Sequence, residues 1–327
     1  MTQNLAQSII SGNRRALGKG ITLIESTRPE HRVEACTLMD QIMPHTGKSI
    51  RIGISGTPGV GKSTFIEALG KYVLKKNYRL AVLAVDPSSP IGSGSILGDK
   101  TRMQYLSAHK NTFIRPSPSK GHLGGVASKT REAILLCEAA GYDFIIVETV
   151  GVGQSEFVVN SMVDQFLFLQ LPNSGDQLQG IKKGILELAN FILVNKCDGK
   201  HVQAAKRAKV DLDLALNLIY QSRPDEKPDV KLISSLEETG LDEVLEHIEA
   251  LIDSSKKNSA FESRRKNQAV HWFEEEVRDS LLRELFSIES IKIKYDKEKD
   301  LVENLQKSSR QAAAEFKSSV NLGSHYA

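Results

Sequence analysis

The chain has 327 residues, with 43 Lys and Arg against 40 Asp and Glu and a formal net charge of +3 at pH 7. A chain of this length can bury a sizeable core, and near-balanced charge without long single-sign runs argues against a nucleic-acid groove. Cys36, Cys137 and Cys197 stand far apart with no Cys-x-x-Cys, the N-terminus lacks an apolar signal core, and no run approaches the ~20 apolar residues of a membrane span, so a cytosolic protein with free thiols is expected.

Residues 1–48 carry Leu5, Ile9, Ile10, Leu17, Ile21, Ile24, Val33, Cys36, Leu38, Met39 and Ile42 at helical spacing, which predicts an N-terminal helical extension. From Ser49 the pattern changes to short β-branched runs between amphipathic helices: SIRIGIS, RLAVLAV, DFIIVE, QFLFLQL, FILVN and VKLISS. Runs this apolar suit strands buried on both faces, so residues 49–254 are expected to form an α/β domain with a mostly parallel, doubly wound sheet. Its last helix is expected at Leu241–Ile252, packed back on the sheet.

After the polar junction DSSKKNS, helical patterning covers about Ala269–Phe286 and then a charged stretch, Lys297–Lys317. Val270, Phe273, Val277, Leu281, Leu282 and Leu285 recur at three- and four-residue steps, leaving one apolar face. Residues 255–327 are therefore read as a helical arm that pairs with a second copy or covers the chain's own domain.

Within the first strand-to-helix junction, Gly56, Thr57, Pro58, Gly59, Val60, Gly61, Lys62, Ser63 and Thr64 contain G-x-x-x-x-G-K-[ST], preceded by SIRIGIS and followed by a helix expected at Ser63–Val73. This is the P-loop pattern: backbone N–H groups turn inward around a β-phosphate and the helix start adds positive potential. Lys62 would reach the β- and γ-phosphates, and the Ser63 hydroxyl would bind Mg²⁺.

The base is read from Asn195-Lys196-Cys197-Asp198, at the end of FILVN. Asp198 can accept hydrogen bonds from guanine N1–H and the exocyclic amine, which adenine does not offer on that edge, and a missing partner of this kind can cost ~10⁴ in discrimination. Asn195 would brace the loop, the Lys196 stem would lie along the base, and Ser234-Ser235-Leu236 would bring a backbone N–H to guanine O6.

Strand DFIIV ends in Glu148-Thr149-Val150-Gly151, where GTPases show D-x-x-G. Glu148 can hold Mg²⁺ through water and the Gly151 N–H can sense a γ-phosphate. Val152 stands where many GTPases have the water-orienting glutamine, so slow unassisted hydrolysis is expected, with Gln154 a weaker candidate for that role. Asp86 and Asp99 are further metal candidates, Arg102 a charge sensor, and the polar insert Asn173–Gly184 places Gln179 and Lys182 near the nucleotide.

Together, AVLAVDPSS, SILGDKTRM, RPSPSKGHLGGVASKTREAILLCEAAGYD, VETVGVGQSE, GDQLQGIKKGI and NKCDG resemble the MeaB and ArgK-like family, bacterial relatives of the human MMAA protein. The resemblance implies a GTPase chaperone that uses GTP/GDP and Mg²⁺ to gate adenosylcobalamin loading of methylmalonyl-CoA mutase or a related acyl-CoA mutase, and that protects the mutase. It assigns the switch roles to Asp86, Asp99, Arg102, Glu148, Gln179 and Lys182 and makes the C-terminal helices a homodimer arm. Ser93 and Gln177 depart from the family pattern, as does the tail from about Ser287.

Three rivals are weighed against this reading. A metal-insertion GTPase of the nickel type would carry Cys and His clusters, whereas the eight histidines here are dispersed. A kinase of periplasmic transport proteins, the label carried by the ArgK name, would need an acceptor pocket and a base that the sequence does not show. A cobalamin carrier would need Asp-x-His-x-x-Gly, but Lys120 stands two residues before His122 in place of the Asp.

Overall fold

A computed structural model of the chain describes residues 2–85, 103–116, 123–149, 155–172 and 183–320. Two compact units are present, Met1–Arg265 and Lys266–Ala327.

The first unit is built on seven parallel strands, β1 (Ile50–Gly56), β2 (Leu80–Val85), β3 (Thr112–Pro116), β4 (Phe144–Thr149), β5 (Gln165–Gln170), β6 (Phe191–Val194) and β7 (Asp229–Leu232), ordered β3-β2-β4-β1-β5-β6-β7. The order reverses around β1, and in such sheets the crevice beyond the strands' C-terminal ends is where ligands bind. β4, β5 and β6 are buried along their whole length, which is why they read as continuous apolar runs rather than alternating ones.

Helices α4 (Lys62–Lys75) and α10 (Leu241–Lys257) cover one face. There Phe65, Leu69 and Val73 meet Val244, Leu245 and Ile248 over Ile52, Ile54 and Leu167. Three helices open the chain, α1 (Thr2–Ile10), α2 (Arg14–Glu25) and α3 (Pro29–Ile42), and α2 packs on α6 (Leu123–Ala139). Asn13 caps α2 by accepting from the Arg15 and Ala16 amides at 2.9 and 3.1 Å, the expected use of an Asn before an amphipathic helix. Between the strands also lie α5 (Gln104–Ala108), α7 (Ser155–Asn160), α8 (Lys183–Leu188) and α9 (Val202–Ile219).

At the N-terminal ends of the strands sits a buried ion network. Arg51 grips Glu138 through two bonds of 2.8 and 2.9 Å, and the Gly47 N–H donates to the same carboxylate at 2.7 Å. Arg265 donates to Glu138 at 3.2 Å, to Asp164 at 2.8 Å and to the Ser49 carbonyl at 2.9 Å. Burial works to raise the Glu138 carboxyl, but the Arg51 hydrogen bonds and charge, with Arg265 and the Gly47 amide, leave it below the ordinary carboxylate range. No sequence pattern announced this network, because its members come from four separated segments.

The differences from the sequence reading are local. β3 went unrecognised: TFIRP is short, lies at the sheet edge, ends in proline and is only partly apolar. DSSKKNS is mostly helical, since α10 runs to Lys257 and only Asn258 and Ser259 separate it from α11 (Ala260–Ser287). Ser259 takes φ +58°, the left-handed conformation that breaks the helix.

The second unit contains the remainder of α11 together with α12 (Glu289–Glu303) and α13 (Ser309–Ser319). Phe286, Tyr295 and Phe316 pack as a ring trio with centroids 4.8 to 6.4 Å apart. Lys307 bridges Glu298 and Glu315 at 2.6 and 2.8 Å. Val270, Phe273, Val277, Leu281 and Leu282 are exposed. Among the described residues no helix is long and apolar enough to cross a membrane.

Candidate nucleotide site

The phosphate loop leaves β1 at Gly56 and enters α4 at Lys62. Gly61, the residue before the helix, has φ +95°, a conformation that L side chains rarely adopt, and a Cβ there would lie 3.1 Å from Asn195 Nδ2. The φ favours glycine at this turn, and a side chain there would also press on Asn195. Val60 is buried and its N–H donates to the Thr57 carbonyl at 3.2 Å, while Pro58, Gly59 and Thr64 are exposed and Ser63 is half-buried. The Thr57 hydroxyl is buried with no hydrogen-bond partner among the described residues, an orphaned donor within the loop meant to hold an anion.

Lys62 folds back over the loop and donates to the Gly56 carbonyl at 2.9 Å. Burial pushes its ammonium below the ordinary lysine range, opposed by the charges of Glu148 and Glu156. Glu148 is buried at the C-terminal end of β4, opposite Ile54 on β1 and Ala84 on β2. A buried lysine beside a glycine-rich turn at the mouth of a parallel sheet is a donor of the kind a phosphate takes.

The base loop is tied directly to the phosphate loop. Asn195, 1 % exposed, donates to the Val60 carbonyl at 2.8 Å and accepts from the Ser235 N–H and hydroxyl at 3.0 and 2.8 Å. Lys196 takes φ +60° and donates to the Gly59 carbonyl at 2.8 Å, so its stem crosses between the two loops. Ser234 donates to Asp198 Oδ2, and the Cys197 N–H donates to the Ile233 carbonyl at 2.9 Å. Leu236 is exposed at the rim, and an antiparallel bridge between Ser234 and Thr239 closes the turn.

Gly56, Lys62, Ser63, Glu148, Asn195, Lys196, Asp198, Ser234 and Ser235 therefore lie on the C-terminal side of the sheet, as the sequence implied. Asp86, Asp99, Arg102, Gly151, Gln154, Gln179 and Lys182 fall outside the described residues. Sequence reasoning missed Ser55, Thr149 and Glu156: Ser55 and Thr149 are fully buried strand ends, and Glu156 is 2 % exposed at the start of α7. Polar residues at two strand ends and at a helix start could have signalled a site; in the sequence Ser55 stands only within SIRIGIS and Thr149 only as a spacer in Glu148-Thr149-Val150-Gly151.

Comparison with known proteins is consistent along the chain. Residues 17–290 match the model of the family described as methylmalonyl Co-A mutase-associated GTPase MeaB. A probable GTPase of Mycobacterium tuberculosis is 50% identical over 283 residues, covering 86% of this chain and 84% of that protein. The GTPase ArgK of Escherichia coli is 45% identical over 288 residues, 87% of each chain. The mitochondrial methylmalonic aciduria type A homolog of Mus musculus is 41% identical over 288 residues, 85% of this chain and 69% of that one. Among solved structures, a LAO/AO transport system kinase superposes with a TM-score of 0.76 at 35% identity, covering 97% of this chain and 96% of that chain.

Proposed function

Because this chain belongs to the MeaB family of methylmalonyl-CoA mutase-associated GTPases, we propose that it is a cytosolic, homodimeric chaperone of an adenosylcobalamin-dependent acyl-CoA mutase. Methylmalonyl-CoA mutase is the partner favoured by the family description. In this reading GTP binding and hydrolysis gate loading of the mutase with its cofactor and protect it from inactivation, with slow turnover alone and faster turnover with the partner.

The observation that carries the nucleotide half is Asn195, whose side chain links Val60 of the phosphate loop to Ser235 of the base loop. A guanine seated on Asp198 would have its phosphates delivered to the Gly56–Ser63 turn by one buried bracket. Lys62 would shift its ammonium from the Gly56 carbonyl toward the β- and γ-phosphates, and loop N–H groups with the Thr57 hydroxyl would share the charge.

Ser63 and Glu148 are hard oxygen donors of the kind Mg²⁺ takes, and with Asp86 and Asp99 they would hold it. When bound, Mg²⁺ neutralises charge on the β- and γ-phosphates. Gly151, Gln154, Arg102, Gln179 and Lys182 are proposed to sense the γ-phosphate and to respond when the partner docks.

The test is calorimetry with GTP, GDP and ATP in the presence of Mg²⁺, followed by phosphate release with and without the mutase. Preference for guanine and stimulation by the mutase support the proposal. Equal binding of ATP and GTP, or phosphate release indifferent to the mutase, overturns it. The likeness to a solved LAO/AO transport system kinase motivates a second reading, transfer of the γ-phosphate to a protein hydroxyl. Radiolabel from γ-labelled GTP on a partner protein rather than in free phosphate would favour that reading.

A further inference from the structure

At the ends of β1 and β4 lies a polar group to which the nucleotide reading assigns no role. Thr149, the last residue of β4, donates from its hydroxyl to Ser55 Oγ at 2.8 Å, and the Ser55 hydroxyl is oriented toward Glu156 Oε1 at 3.5 Å. All three are buried: Thr149 and Ser55 have no exposed surface and Glu156 has 2%. The second carboxylate oxygen of Glu156 has no hydrogen-bond partner among the described residues.

A carboxylate so placed is costly unless a positive charge lies nearby. The Lys62 ammonium is held on the Gly56 carbonyl at 2.9 Å, one residue beyond Ser55, and the charges of Glu148 and Glu156 favour its protonated form against the effect of burial. The approach of α7 to the sheet depends on glycine at position 53, where a Cβ would lie 2.8 Å from Val159 Cγ1 and 2.8 Å from the Phe166 ring. The fold thus brings α7 against β1 closely enough for its first acid to reach the strand that feeds the phosphate loop.

We propose that Glu156 is a positioning residue for GTP hydrolysis: through Ser55 and Thr149 it fixes the ends of β1 and β4 against each other, and its charge orients Lys62. The inference rests on the nucleotide reading above and extends it to residues that touch no phosphate. Residues 149 and 156 flank the Val150–Ser155 segment, which includes Gly151, the proposed γ-phosphate sensor. One carboxylate therefore acts on both the lysine of the phosphate loop and the strand that leads to the sensor. Its influence is inferred to fall on the phosphate end and the hydrolytic step, because the side-chain hydrogen bonds of Asn195 and Asp198 run to Val60, Ser234 and Ser235 and not to this group.

The experiment uses the full chain with GTP and GDP. Glu156→Gln retains an acceptor for Ser55 and removes the charge, whereas Ser55→Ala retains the charge and breaks the relay. For Glu156→Gln the expected result is a fall in kcat of about tenfold or more, with KM for GTP and affinity for GDP within about threefold of the parent. Ser55→Ala should show the same kcat-selective loss.

Wild-type kcat in Glu156→Gln overturns the proposal, as does a parallel loss of GTP and GDP affinity with kcat unchanged, which would mark a purely structural acid. If Glu156→Gln does not fold, Ser55→Ala decides: wild-type kcat there overturns the inference. Failure of the parent protein to bind GTP would instead refute the nucleotide reading, so the two failures are distinct.

Discussion

Asn195 donates to the Val60 carbonyl across 2.8 Å of buried space, and with the Lys196 bond to the Gly59 carbonyl it joins the Asn195–Asp198 turn to the glycine-rich loop. Replacing it by alanine strands the Val60 carbonyl and the Ser235 amide together. Each buried group left unpaired costs about 1–3 kcal/mol. Asn195→Ala is therefore expected to weaken GTP and GDP equally, by about tenfold or more, and to lower the unfolding midpoint; calorimetry and thermal denaturation measure the two effects.

Asp198 is proposed to carry base identity through charge and acceptor geometry, and Ser234 holds one of its oxygens. In Asp198→Asn a donor would face the guanine amine, and the lost complementarity should reduce GTP affinity by about 100-fold or more. Xanthine has a carbonyl at that position, so the same variant should gain affinity for xanthosine triphosphate. A competition assay with both nucleotides reads the exchange, and equal loss for both would remove Asp198 from the base site.

Glu138 links the fold to pH. Its carboxyl is held below the ordinary range in the folded chain: burial acts to raise it, but Arg51 and Arg265 prevail. Between the folded and unfolded values the unfolded chain binds more protons, so stability rises with pH there. The contribution is fully present above about pH 4.5, the unfolded carboxyl value, and is lost as pH falls through the depressed folded value. Denaturant titrations from pH 7 downward should show Glu138→Gln less stable at neutral pH, because Arg51 and Arg265 lose their counter-charge, and with a shallower loss of stability in acid.

Phe273 is 67% exposed, with Val270 and Leu281 each 57% exposed on the same helix. If this face joins two copies, Phe273→Glu places a charge in the contact and should convert a dimer to a monomer in sedimentation equilibrium, with GTP affinity unchanged within about threefold. A parent protein that sediments as a monomer at micromolar concentration rejects the dimer.

Local patterns marked the glycine-rich loop and the Asn195–Asp198 turn. The glycine spacing of residues 56–61 and the Asn195–Asp198 turn encode backbone conformations and donor sets that need no distant partner to be recognised, and Gly61 adopts the left-handed φ that its position required. β1, β4, β5 and β6 were legible for a related reason: strands buried on both faces carry mostly apolar residues, with the polar ones here near their ends. β3 escaped because an edge strand tolerates arginine and proline, which erase that signal.

The amino-acid order by itself determined the strand-loop-helix phosphate cradle, the guanine-type turn and the alternation that builds a parallel sheet, because each depends on neighbours within a few residues. Only the tertiary structure decided that Arg51, Glu138, Asp164 and Arg265 meet at one end of the sheet and Ser55, Thr149 and Glu156 at the other. The fold brings together residues 94 to 216 positions apart, and the electrostatics of a buried group depend on whatever neighbours that folding supplies.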